Sequence, residues 1–423
     1  MSVLSEAERA AILKAPRPRR DLPILAQGPR RLPLEAETRE IDRFYRPVYA
    51  VWEVTLACDL SCRHCGSRAG HARPDELTTA ECLDVIDQLA DLGTMEIVFI
   101  GGEVYLREDW LDLIRQTRKK GMQALITTGG RGFTKERARA AADAGINSVS
   151  VSVDGLAETH DRLRGLQGSH AAALTALENL QAAGVRVSAN TQINRLSMHE
   201  LPQVFEAILA RGVHSWQIQL TVPMGRAADE PDVVLQPYDM LTLFPMLGEL
   251  ADRCRKERVL LWPGNNVGYF GPVETKLRGT MPRGHLASCG MGRSGFGIES
   301  DGMVKGCPSL ATARWAAGTV REHRLADLWE RSSRMRFARD RQVSDLRGFC
   351  RTCYYADECR GGCTWTSESI LGEPGDNPWC HHRALERDRA GLRERLVPAV
   401  AAEGNPFDMG RFDLVLEPRD ATG

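Results

Sequence analysis

The sequence predicts an α/β protein, a parallel sheet covered by helices, with a cysteine-rich module behind it. Two observations carry this. Between residues 78 and 220 a unit of helix, glycine and apolar strand recurs five times. Then seven of the twelve cysteines, Cys289, Cys307, Cys350, Cys353, Cys359, Cys363 and Cys380, fall within the 92 positions from 289 to 380. A smaller group of cysteines, Cys58, Cys62 and Cys65, directly follows the apolar stretch Val51–Leu56.

At 423 residues the chain is long enough for two or three domains and for a large core. With 55 basic and 56 acidic side chains its formal charge is −1, so bulk electrostatics call for neither nucleic acid nor an anionic membrane. The first residues carry acidic side chains and no sustained apolar core, and no run approaches the roughly 18 apolar residues of a membrane span. A cytoplasmic protein is expected, in which twelve cysteines serve metal ligation rather than disulfides.

Residues 1–48 combine a weak helical patch (Leu4, Ala7, Ala11) with a proline-rich basic stretch holding Lys14, Arg17, Arg19, Arg20, Arg30 and Arg31. A solvated arm is expected there, with contact to an acidic partner as the alternative. Val51–Leu56 reads as the first strand and Cys58–Cys65 as the loop at its C-terminal end, where reactive groups collect in α/β layouts. The next helix opens with a capping box, Thr78 and Glu81, carries a stripe at Leu83, Ile86 and Leu89, and stops at Gly93 before the strand at 95–100. Gly121, Gly145, Gly184 and Gly212 precede four more strands, and Ser197 with Glu200 forms a second capping box. The six strands read as mostly apolar, without alternation. No GxGxxG follows a strand, which argues against a nicotinamide fold. An incomplete barrel and a doubly wound sheet both remain open. A helix over 237–256 and a strand near Val259–Trp262 follow, and dense glycines mark a boundary between 262 and 288.

The spacing C-x3-C-x2-C at Cys58, Cys62 and Cys65 offers three thiolates, whereas structural zinc needs four ligands. His64 adjoins Cys65, and neighbours in a tight loop seldom reach one tetrahedral ion. Three thiolates suit a four-iron cube with one open iron better. In the second group Gly302 lies between Cys289 and Cys307, and C-x2-C-x5-C-x3-C runs from Cys350 to Cys363 before Cys380. Zinc remains an alternative for Cys350, Cys353, Cys359 and Cys380. Cys82 and Cys254 lie in helices and read as packed side chains. Trp315, Trp329, Trp365 and Trp379 read as packing around the module, with a substrate channel as the alternative.

On these cysteine patterns, over roughly residues 50–385, the chain resembles a radical S-adenosylmethionine (SAM) enzyme with a C-terminal SPASM domain. The resemblance implies a partial (β/α)6 TIM-like barrel followed by a SPASM iron–sulfur domain. The divisions expected are an arm at 1–48, a barrel at 49–262, a SPASM domain at 263–385 and a tail at 386–423. It implies that the open iron of a [4Fe-4S] cluster on Cys58, Cys62 and Cys65 chelates SAM, whose reductive cleavage gives a 5′-deoxyadenosyl radical. Gly101, Gly102 and Glu103 match the motif that holds the SAM amino group, with Val104 where relatives have proline. Ser152 resembles the polar ribose or carboxylate contact, Arg164 the arginine for the SAM carboxylate, Asn190 and Thr191 ribose contacts, and Leu220 the adenine contact. His64 stands where many relatives have an aromatic residue, and Asp154 with Gly155 reads as a turn.

The same resemblance assigns Cys350, Cys353, Cys359 and Cys380 to one auxiliary [4Fe-4S] cluster. Cys289, Cys307 and Cys363 go to another, one thiolate short. The implied reaction is oxidation of a ribosomally made peptide, as an intramolecular crosslink. Oxidation or dehydrogenation of a small molecule is one alternative, and a noncatalytic electron-transfer protein another. The expected partners are a precursor peptide, a separate small leader-peptide-binding protein and a flavodoxin- or ferredoxin-like electron donor. No acid–base residue is singled out: Asp301, His285 and Asp357 all lie near cysteine ligands.

Overall fold

The computed structural model describes residues 31–279 and 289–421. Seven parallel strands lie side by side in chain order: β1 (Tyr49–Glu53), β2 (Glu96–Ile100), β3 (Gln123–Thr128), β4 (Ser148–Ser152), β5 (Arg186–Ile193), β6 (Ser215–Leu220) and β7 (Leu260–Pro263). A doubly wound sheet reverses its strand order at a switch point. This one never reverses, so the incomplete barrel is the architecture. Register sets Trp52 beside Phe99 and Ser152 beside Asn190, keeping the strand C-termini at one mouth.

All five glycines expected to end helices take left-handed φ, from 62° at Gly212 to 89° at Gly145. The Thr78 capping box forms as expected: Thr78 N donates to Glu81 Oε2 at 2.9 Å and Glu81 N to Thr78 Oγ1 at 3.3 Å. The box at Ser197 does not. Glu200 turns away to accept from Leu156 N and Thr159 Oγ1, and the Ser197 hydroxyl is buried without a partner. The stripe of helix Thr79–Asp91 is Cys82, Val85, Ile86 and Leu89; Leu83 is only partly buried.

The strands do alternate, contrary to the sequence reading. Ala50, Trp52, Ile97, Phe99, Val149, Val151, Val187, Ala189, Trp216 and Ile218 are buried beneath the helices. Between them Thr127, Ser150, Ser188, Gln192 and Gln219 are only half-buried, and Gln217 is exposed. One face of the sheet is therefore core; the other, concave face is apolar at Val51, Val98 and Leu125 and polar over β4 to β6.

The sheet continues beyond β1. β8 (Gly295–Ile298) pairs in parallel with β1, Tyr49 beside Gly295 and Trp52 beside Ile298, and β9 (Met303–Lys305) and β10 (Ala316–Thr319) add antiparallel strands. One ten-stranded sheet thus runs across the boundary expected near 262. A hairpin of β11 (Leu392–Val400) and β12 (Arg411–Pro418) follows helix His381–Arg389. No helix among the described residues is long and apolar enough to cross a membrane.

The helical patch at 4–11 and the basic residues before Arg31 lie outside the described residues. From Arg31, the last residue of the stretch expected to be solvated, the chain is docked onto the second module. Arg31 Nε donates to Val320 O at 2.6 Å and Leu32 N to Glu322 O at 2.7 Å, and Arg31 pairs with Asp84. Asp42 is fully buried between Arg336 (2.9 Å) and Arg339 (3.1 Å). Burial alone would raise its carboxyl, but Arg39, Arg339 and Arg336 hold it down to about 2. Because the folded value is depressed, its stabilisation is complete above the unfolded carboxylate range and is lost as pH falls through about 2. Asp42→Asn is expected to cost about 3–5 kcal/mol at neutral pH by leaving guanidinium groups buried and unpaired. Thermal unfolding of both proteins checks this, and their difference in stability should shrink in strong acid.

Candidate active site

The loop after β1 and the loop after β2 are locked together by main chain. Gly102 N donates to Thr55 O and Glu103 N to Ala57 O, each at 2.8 Å, and Cys58 N donates to Gly70 O at 3.0 Å. A β-carbon on Gly102 would fall on the Ala57 carbonyl and within 2.7 Å of the Cys58 β-carbon; one on Gly101 would fall on Thr55 O. The glycine pair is thus required by the cysteine loop itself, before any ligand is considered. Gly102→Ala is expected to displace that loop and lower iron incorporation at Cys58, Cys62 and Cys65. Iron content per chain after anaerobic reconstitution measures this.

Arg226 holds the same loop from the other side. Its Nε reaches Cys62 O at 2.7 Å, its Nη2 reaches Ala69 O at 3.0 Å, and its backbone N donates to Cys65 O at 2.9 Å. The three thiols sit close enough for Cys58 to feel the charges of Cys62 and Cys65. Burial pushes the Cys58 thiol up to about 12 and also raises Cys62. Without a cation these groups stay protonated, so metal binding releases protons.

Glu103 is buried beside them. Its carboxylate accepts from Thr128 Oγ1 at 2.8 Å and Gly129 N at 3.0 Å, and burial pushes its carboxyl up to about 8. Asp154, expected only to turn the chain, is a fully buried hub. Its carboxylate receives Gln192 N at 2.9 Å, Arg164 Nε at 2.8 Å and His64 Nε2 at 3.0 Å. Arg164 also directs Nη1 at Cys62 Sγ, 3.8 Å away. Despite burial, Arg164 and His64 hold the Asp154 carboxyl far below the usual range. His64 Nδ1 and Asp59 Oδ1 are buried with no partner, two polar atoms of the cysteine loop left available to a bound group.

The remaining expected contacts divide between the sheet's two faces. Ser152 and Asn190 are paired neighbours on the concave wall, Asn190 Oδ1 receiving Gln219 Nε2 at 3.4 Å. Thr191 and Leu220 lie on the core side, completely buried. The Thr191 hydroxyl donates to Val153 O at 2.6 Å and accepts from Trp216 Nε1 at 2.8 Å, while the Leu220 main chain is clasped by Asn266.

The second module gathers its thiols in two sets. Cys350, Cys353, Cys359 and Cys380 line a partly open cavity walled by Tyr269, Phe270 and Tyr355. Cys380 feels the charge of Cys353, and Cys359 feels both. Cys289, Cys307 and Cys363 form the other set, each of the first two feeling Cys363. Burial pushes Cys307 and Cys359 up to about 12. Among the described residues no three His, Cys, Asp or Glu side chains converge on a single ion.

Cys82 and Cys254 are packed in the core, as expected, and Trp329 and Trp379 are completely buried. Trp315 Nε1 donates to Glu368 and Trp365 Nε1 to Met224 Sδ. Asp301 receives Met303 N, Asp357 is exposed, and His285 lies outside the described residues.

A parallel barrel with three thiols at its mouth and seven more beyond its edge defines an iron–sulfur protein of the α/β class. The model of the Radical SAM superfamily matches residues 52–208, and that of the SPASM iron–sulfur cluster-binding domain matches 289–354. The chain is 31% identical to mycofactocin maturase MftC of Mycobacterium tuberculosis, over 86% of this chain and 91% of that protein. It is 29% identical to the AdoMet-dependent heme synthase of Methanosarcina barkeri, over 80% and 97%. In fold it is similar to SAM-bound Streptococcus suis SuiB, with TM-score 0.60 and 15% identity over 79% of this chain and 76% of that one. It is likewise similar to anSMEcpe with AdoMet and a peptide, with TM-score 0.62 and 19% identity over 80% and 95%. The chain belongs to the radical SAM superfamily and carries its SPASM module. It is a radical SAM/SPASM-type enzyme, with SAM, a [4Fe-4S] cluster and auxiliary iron–sulfur as its cofactors.

Proposed function

We propose that this enzyme oxidatively modifies a ribosomally made precursor peptide, closing an intramolecular crosslink. The observation that carries the reading is the interlock of the Cys58–Cys65 loop with Gly101–Glu103 at the mouth of a barrel whose sheet also holds the second module. The MftC likeness adds a relative named as a maturase, and a SuiB structure of similar fold holds the precursor peptide SuiA.

In this reading Cys58, Cys62 and Cys65 hold the [4Fe-4S] cluster, and Cys350, Cys353, Cys359 and Cys380 hold one auxiliary cluster. Cys289, Cys307 and Cys363 hold a second. When bound, SAM and the reduced cluster supply a carbon-centred radical that removes a substrate hydrogen atom. Glu103 and the Gly101–Gly102 main chain receive the SAM ammonium group. Arg164, fixed by Asp154, directs positive charge at the cysteine loop, and His64 Nδ1 offers a further bond there. Ser152 and Asn190 line the concave wall toward the ribose. Thr191 and Leu220 act from behind as packing that fixes those strand ends. The arm, barrel, SPASM domain and tail divide near 48, 262 and 385. A flavodoxin- or ferredoxin-like donor supplies the electron, a separate small leader-peptide-binding protein presents the substrate, and the reaction runs in the cytoplasm.

The heme-synthase relatives favour a second reading, oxidation of a small molecule. Anaerobic reconstitution with SAM and dithionite separates the two when run with a short peptide encoded beside the enzyme and, in parallel, with a propionate-bearing iron porphyrin. The expected result is 5′-deoxyadenosine together with peptide that has lost a hydrogen pair. Unchanged peptide alongside oxidised porphyrin overturns the peptide reading, and no 5′-deoxyadenosine under any condition overturns both.

A further inference from the structure

Beside Cys289 lies a small, partly open cavity whose walls include Arg293, Arg341, Arg360, Gly362 and Thr364. Three half-buried guanidinium groups around one cavity concentrate positive charge that a counter-charge would stabilise, most of all where a guanidinium atom is shielded from water. None of the three makes an ion pair with an Asp or Glu among the described residues. Arg341 makes no ion pair and no side-chain hydrogen bond to any described residue; the charges it feels are Cys289, Cys363, Asp345 and Arg293. Asp345, the one carboxylate among these charges, forms no ion pair and receives Gln342 N at 2.7 Å. Arg293 donates Nη2 to Ala338 O at 2.6 Å, and its Nε is buried without a partner. Arg360 reaches only neutral acceptors, Asp357 O at 2.6 Å, Arg341 O at 2.8 Å and Gln342 Oε1 at 3.3 Å.

The thiols next to this cavity are the incomplete set, Cys289, Cys307 and Cys363. On the reading that they hold an iron–sulfur cluster, three thiolates on a four-iron cube leave roughly one negative charge and one iron without a protein sulfur. That is less than three guanidinium groups need. A carboxylate matches what is missing: it accepts the planar fork of arginine through both oxygens, and its oxygens also bind iron.

We propose that Arg293, Arg341 and Arg360 form a carboxylate subsite at the cluster held by Cys289, Cys307 and Cys363, through which a carboxylate-bearing substrate is anchored. The proposal depends on the cluster assignment above, and the test separates the two.

The test uses the full-length chain with Cys58, Cys62 and Cys65 replaced by alanine, so that only the second module carries iron, together with the wild-type chain. Iron is counted first. The electron paramagnetic resonance spectrum of the dithionite-reduced protein is then followed during titration with acetate, with chloride and phosphate at matched ionic strength as controls. Acetate is expected to shift the spectrum in both proteins and chloride to leave it unchanged. Arg341→Gln should abolish the shift with the iron count intact, and Arg341→Lys should retain part of it. A peptide ending in a free carboxylate and a propionate-bearing porphyrin, each competing with acetate, identify which carboxylate the pocket takes. A filled second module with no acetate shift, a shift that survives Arg341→Gln, or a response to phosphate alone overturns the subsite. Absence of the second-module iron overturns the cluster assignment itself, and the subsite with it.

Discussion

Replacing Cys58, Cys62 and Cys65 together with alanine is expected to remove about four irons per chain, one cube's content, and to abolish 5′-deoxyadenosine formation. The loss should be complete because no other thiol shares this neighbourhood: Cys82 is sealed in the core against Leu77 O, and the remaining thiols of the second module group among themselves. The fold should survive, since the loop is held by main-chain bonds to Gly70, Gly102 and Glu103 and by Arg226 rather than by its sulfurs. Iron analysis, circular dichroism and product chromatography on the same preparation check all three parts. Unchanged iron with retained cleavage would remove these cysteines from the reaction.

The second large effect is expected at Asp154. Asparagine has nearly the same shape and can still accept from Gln192 N, but it removes the charge that balances Arg164. Arg164, itself largely buried, would then keep only Cys62 Sγ as a side-chain partner. Loss of one partner from such a pair costs about 3–5 kcal/mol. Asp154→Asn is therefore expected to lower the unfolding temperature and to change the resonance spectrum of a cluster on Cys62. Arg164→Lys, which keeps the charge but loses the fork, should recover stability better than the spectrum. If stability falls while the spectrum stays unaltered, Asp154 serves the fold alone.

Local features were legible. The five stop glycines, the Thr78 capping box, the core cysteines and the three-thiol loop all follow from spacing along a few residues. What escaped the sequence depends on non-local partners. Ser197 and Glu200 carry the same pattern as Thr78 and Glu81, yet Glu200 finds better donors in Leu156 N and Thr159 Oγ1, brought in from an earlier helix. Asp154 followed by Gly155 has the composition of a turn; only the approach of Arg164 and His64 makes it a hub. Alternation was hidden because the concave face carries small polar residues, Thr127, Ser150 and Ser188, between apolar ones instead of charges. The docking of residues 31–48 was missed because their basic, proline-rich approach reads as solvated, and the arginines that bury Asp42 lie about 300 positions away.

The pairing of β8 with β1 also bears on how this protein is divided. A fragment ended at residue 263 would keep every barrel strand but strip β1 of one of its two neighbours, leaving a bare row of amides and carbonyls ready to recruit another chain. Such a fragment should aggregate rather than behave as a minimal enzyme, whatever its iron content. The SPASM module is thus the closing edge of the barrel, and neither part can be exchanged between homologues without carrying its complementary strand along.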